Sequence, residues 1–149
     1  MQIETVRFQN RLYIAHLDGK RMQKKNVTSR TSDLGFRAFI VHLILDSKVE
    51  QALELLSKEF KVTVPKIQVG LPRSHGSVRG CYTSRNQTIC VINGDVLKDP
   101  FVVLHEFYHH VRTSSVDKKH RGTEKYANVF AEEFIAAYRS LSSIQRTKE

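Results

Sequence analysis

The chain has 149 residues, a length that suits one domain burying roughly two-thirds of its unfolded surface, so it needs no disulfide framework. It begins without the basic-then-apolar pattern of a signal peptide. Its most apolar run, Leu34 to Leu45, is too short for a membrane span and contains Arg37 and His42, which predicts a soluble cytoplasmic protein with no membrane partner. The net charge of +9 admits a nucleic-acid association through a basic surface, an acidic protein substrate, or plain solubility. Lys20, Arg21, Lys24, Lys25 and Arg30 gather part of that charge, without a zinc-finger or RNA-binding signature and without interleaved aromatic residues.

In chain order, residues 3–16 alternate well enough for one or two strands, and Asp18-Gly19 is a turn signal. Residues 17–32 read as a polar loop. Phe36, Phe39, Ile40, Leu43 and Ile44 recur at a helical period, as do Val49, Ala52, Leu53, Leu56 and Phe60, with Asp46-Ser47 breaking the two helices apart. These side chains read as core. Lys66 to Gly70 is a strand, and Leu71-Pro72 opens a loop in which His75 is read as an exposed histidine. Strands at Val78–Thr83 and Thr88–Ile92, joined by a turn centred between Arg85 and Asn86, place Cys81 opposite Cys90. The two are a candidate cross-strand disulfide or a pair of reduced thiols, and their spacing does not resemble a zinc knuckle.

Asp99 followed by Pro100 starts the next helix, since the carboxylate can cap free N–H groups and proline at the first position has none to leave unsatisfied. The apolar run Phe101 to Leu104 leads into His105-Glu-Phe-Tyr-His-His, whose first five residues form H-E-x-x-H. On a helix His105 and His109 share a face and can hold one zinc ion, while Glu106 stands beside the open coordination position. Three histidines and a glutamate on such a helix are costly to bury unless something ligates or pairs them. A third protein ligand is then required, and spacing offers two: Glu124, in the first turn of a helix over Thr123–Leu141, and His120 just before it. That last helix carries Tyr126, Val129, Phe130, Phe134, Ala137, Tyr138 and Leu141 at a helical period.

The string from Glu124 through Ala127-Asn128, Phe130-Ala131 and Glu133-Phe134 resembles the E-x-x-A-N-x-F-A-x-E-L/F element that follows H-E-x-x-H in the ImmA/IrrE-type metallopeptidases. The order of Gly80-Cys-Tyr82, the strand Thr88–Asn93 and the H-E-x-x-H helix is also similar, and the likeness covers roughly residues 66–138. The resemblance makes Glu124 the third zinc ligand. Tyr108 stands where the family usually has glycine, and no clear helix-turn-helix for reading DNA is present. The segment His120-Arg-Gly122 resembles, more weakly, the third-ligand motif of SprT-like proteases, which cleave DNA-bound proteins.

Together these readings predict a single α+β domain over residues 1–149, zincin-like, with a small, mainly antiparallel sheet packed on helices that include the H-E-x-x-H helix. Thr88–Ile92 is the expected docking strand for an extended peptide. The expected function is zinc-dependent hydrolysis of a specific intracellular protein, a transcriptional repressor by the likeness to ImmA/IrrE-type systems. Glu106 is the general base toward a zinc-activated water, and His120 or Tyr126 is the candidate oxyanion helper. The competing class is a zincin-fold regulatory or nucleic-acid-associated binding protein that holds metal with little turnover.

Overall fold

A computed structural model of the protein describes residues 5–8, 11–14, 27–73, 78–114 and 124–146. The chain forms β1 (Thr5–Phe8), β2 (Arg11–Ile14), α1 (Val27–Leu45), α2 (Val49–Phe60), β3 (Lys66–Val69), β4 (Gly80–Thr83), β5 (Thr88–Val91), a 3₁₀ turn (Gly94–Lys98), α3 (Pro100–Ser114) and α4 (Glu124–Arg146). This is an α+β arrangement of four helices with a three-stranded sheet, and β1 and β2 pair separately as an antiparallel ribbon. None of these helices is long and apolar enough to cross a membrane.

Over residues 38–44 helix α1 is apolar nearly all round: Ala38, Phe39, Ile40, Val41, Leu43 and Ile44 are all buried. A helical segment without a polar face belongs in the middle of a fold, and α1 packs against α2, α3 and α4. It starts at Val27, so residues 27–32 extend it backward out of the segment expected to be loop. Those residues lack an apolar period, but once a helical nucleus is set by buried residues, each added residue gains a hydrogen bond without a new nucleation cost. The expected break at Asp46-Ser47 is a Schellman end. Lys48 N–H donates to the Leu43 carbonyl at 2.8 Å and Ser47 N–H to that of Ile44 at 3.2 Å, with Ser47 held at φ 63°.

The three-stranded sheet has the order β3-β5-β4. The β4–β5 hairpin is antiparallel in the expected register, Cys81 opposite Cys90, whereas β3 runs parallel to β5. The sheet is therefore mixed rather than mainly antiparallel. A hairpin is set by its own turn, but where β3 docks depends on a partner more than twenty residues away, which strand patterning does not encode. The consequence for function is direct: β5, expected to accept an extended peptide, is the central strand and is paired on both sides. The strand with a free edge beside α3 is β4, since no other described strand pairs with its outer side.

Helix α4 presents Ala127, Ala131, Phe134 and Ala137 to the interior, while Tyr126 and Val129 are exposed. Phe134 and Ala137 of the expected stripe are buried and Phe130 and Tyr138 pack against the core; Ala127 and Ala131 join them on that face, because small side chains let α4 lie close against both α1 and α3.

Candidate metal centre

Helix α3 is fastened at its start by Asp99. One carboxylate oxygen accepts from the backbone N–H groups of Phe101 and Val102 at 3.0 and 3.4 Å, and the other pairs with Arg79, just before β4, at 2.6 Å. The same aspartate thus caps the helix and ties it to the neighbouring strand segment. Phe101, His105 and His109 follow one another at intervals of four along one face, and each ring is in contact with the next.

On that face, His105 Nε2 lies 2.8 Å and His109 Nε2 3.1 Å from the two oxygens of Glu124, and the two imidazole nitrogens are 3.3 Å apart. One ligand atom from each residue falls within 4.8 Å of the others, so the three can hold a metal ion. The histidines are largely covered, with side-chain exposures of 12% and 18%, whereas Glu124 is 76% exposed. The donor set is thus anchored from the inside by α3 and closed from the solvent side by the first turn of α4. Burial holds the His109 imidazole below its ordinary pKa, against the pull of the Glu124 carboxylate, and this favours the neutral form that ligation requires.

His105 is oriented from α4. Its Nδ1 lies 2.9 Å from Asn128 Oδ1, and because a carboxamide oxygen only accepts, Nδ1 carries the proton and Nε2 presents its lone pair to the site. Asn128 stood in the sequence motif, but nothing in its own spacing identified His105 as its partner.

Glu106 is buried, at 7% exposure, on the side of α3 that faces β4. Burial raises its carboxyl to about 7, the Glu124 carboxylate adds to the rise, and the adjacent His105 together with a hydrogen bond from the Tyr82 backbone opposes it. Close approach of β4 depends on Gly80: a Cβ there would stand 2.7 Å from Val102 Cγ1 and 3.5 Å from Glu106 Cγ.

The remaining histidine of the motif region, His110, is fully buried between β4 and the loop before β3. Sequence reading gave it no role, because its partners come from residues 28 and 47 positions away. Tyr126 sits two residues after Glu124, roughly 200° around the helix from it, and is 57% exposed. That placement gives no support to an oxyanion role. His120 and His75 lie outside the described residues. Cys81 and Cys90 are both free thiols, and neither belongs to the metal-binding trio. Comparison of the chain with protein-family models, curated proteins and solved structures finds no match.

Proposed function

We propose that the protein is a zinc-dependent metallopeptidase of the ImmA/IrrE-like kind, with His105, His109 and Glu124 as zinc ligands and Glu106 as general base. Two imidazole nitrogens and a carboxylate form a zinc donor set that leaves a fourth position open. The spacing supports it: zinc bonds of about 2.0–2.1 Å in tetrahedral geometry put neighbouring ligand atoms roughly 3.3 Å apart. Here the two imidazole nitrogens are 3.3 Å apart, and each lies 2.8 or 3.1 Å from one of the two Glu124 oxygens. When bound, zinc would supply a Lewis acid for water and for the scissile carbonyl.

The observation that carries the peptidase reading is Glu106. A purely structural metal site has no use for a buried carboxyl next to its first ligand, and burial without a cationic partner is costly. A carboxyl raised to about 7 is matched to taking a proton from water and returning it to a leaving amine near neutral pH. An extended peptide would lie along the outer edge of β4, where main-chain pairing tolerates many sequences. The substrate class is a protein segment of this kind, with a transcriptional repressor as the first target to try.

The test uses Glu106→Gln, which keeps the size of the side chain and removes the base. Wild type should cleave a protein in the lysate of its native host, and the variant should retain zinc and lose nearly all cleavage. Persistent cleavage by Glu106→Gln would overturn the mechanism. No cleavage of any host protein by wild type would favour a binding protein that holds metal. Metal analysis of Glu124→Ala beside His120→Ala checks the ligand set, and loss of zinc only in the His120 variant would transfer the third position to His120.

A further inference from the structure

Tyr82 meets α3 at two points one helical turn apart. Its backbone faces the Glu106 carboxyl, and its phenol oxygen lies 2.8 Å from Nδ1 of His110, four residues along the helix. The direction of the bond to His110 follows from the far side of the ring. His110 Nε2 is 2.6 Å from the Thr63 carbonyl oxygen, which can only accept, so Nε2 carries the proton and Nδ1 accepts from the phenol O–H. Thr113 Oγ1 approaches the same phenol oxygen at 3.4 Å, and the Tyr82 and His110 rings meet edge to face at 5.4 Å. Every polar atom of the buried imidazole is thereby engaged, and it ties α3 to β4 and to the loop ahead of β3.

We propose that Tyr82 is a positioning residue for Glu106: its bond to His110 fixes the rotation of α3 against β4, which keeps the Glu106 carboxyl against β4 and beside the ligand face of His105 and His109. The leverage is considerable. At a radius of about 6 Å, a rotation of the helix by about 10° moves a side-chain group by roughly 1 Å. Misplacement on that scale costs on the order of a hundredfold in rate. The phenol, held between His110 and Thr113, acts through the helix and not on substrate.

The kinetic consequence rests on reading Glu106 as the base, but the positional one does not, so the two are tested separately. In ¹⁵N-labelled, zinc-loaded protein, Glu106→Gln should shift the amide resonance of residue 82, because the carboxyl beside it loses its charge. In the Tyr82→Phe background, which keeps the backbone amide, the same substitution should produce a much smaller shift while zinc content stays at the wild-type level. Equal shifts in the two backgrounds overturn the proposal. Should Tyr82→Phe fail to fold, His110→Gln breaks the hold from the helix side and must give the same collapse of the shift, or the proposal fails. On any peptide that wild type cleaves, Tyr82→Phe should lower kcat roughly ten- to a hundredfold and leave KM within about twofold. A raised KM with kcat intact overturns the positioning role, whereas a wild type that cleaves nothing overturns the peptidase reading and leaves the amide shifts to decide the role of Tyr82.

Discussion

The Oδ1 atom of Asn128 accepts a hydrogen bond from Nδ1 of His105 at 2.9 Å, so one turn of α4 both supplies Glu124 and orients a ligand on α3. Partners of this kind fix the tautomer of a ligating imidazole and sharpen its basicity, and their loss typically weakens metal binding ten- to a hundredfold. Asn128→Ala should raise the zinc dissociation constant by about that factor. Asn128→Asp, which keeps an acceptor oxygen, should bind at least as well as wild type. Competition with a chelator of known affinity measures both, and equal affinities for Asn128→Ala and wild type would remove the orienting role.

Gly80 is where β4 comes nearest to α3. A methyl group there meets Val102 Cγ1 at 2.7 Å and the Cys90 carbonyl oxygen at 3.3 Å, so the Val102 side chain, the helix or the strand must shift. Overpacking of this sort usually costs about 1–3 kcal/mol. Gly80→Ala should therefore lower stability by that amount in urea unfolding. Combining it with Val102→Ala should cost less than the sum of the two single changes, since the second removes the atom that the first strikes. Strict additivity would place the strain elsewhere.

The parts of this molecule that were legible in the sequence are those whose partners lie close along the chain. His105 and His109 share a helical face by their spacing alone, and the β4–β5 turn sets Cys81 opposite Cys90 without help from the rest of the fold. Asp99 announced the start of α3 for the same reason. Contacts across long loops were not legible. The parallel docking of β3, the bond from His105 to Asn128 and the burial of His110 against Thr63 each join residues more than twenty positions apart. The stripe of α4 was legible at Phe130, Phe134, Ala137 and Tyr138, whereas Tyr126 and Val129 are exposed and the close packing against α1 and α3 is made by Ala127 and Ala131, which apolar bulk does not mark.

Cys81 faces Cys90 across the hairpin, and burial, reinforced by its neighbour Cys90, pushes the Cys81 thiol up to about 11. Only the thiolate is reactive, and at pH 8 a thiol of that acidity is ionised about a hundredfold less than an unperturbed one. Native protein should therefore alkylate at Cys81 roughly a hundredfold more slowly than a free cysteine, and denatured protein without reductant should titrate two thiols. Rapid alkylation of native Cys81 would contradict the environment described, and no free thiols on denaturation would show that the pair had oxidised to the cross-strand disulfide.

His110 makes the fold sensitive to acid. Burial lowers its pKa from the ordinary 6.5, and the bond to the Thr63 carbonyl only partly opposes this, so the folded state resists a proton that the unfolded chain accepts. As pH falls through 6.5, the unfolded state takes up that proton first, and stability is lost. Glu106 works in the opposite direction: with its carboxyl raised from 4.5 to about 7, it costs stability as pH rises through that interval. The wild-type slope is therefore a net of opposing contributions, and His109, also lowered by burial, adds to the acid side. Comparison with His110→Gln isolates one of them, because Glu106 and His109 are present in both proteins. With metal removed by a chelator, so that ligand protonation does not shift the apparent stability through zinc release, urea unfolding of the two should be compared at pH 7.5 and 5.5. The stability advantage of wild type over His110→Gln should shrink at the lower pH. An advantage that stays constant or grows would mean that His110 is protonated in the folded state, and the neutral imidazole held between Tyr82 and Thr63 would have to be abandoned.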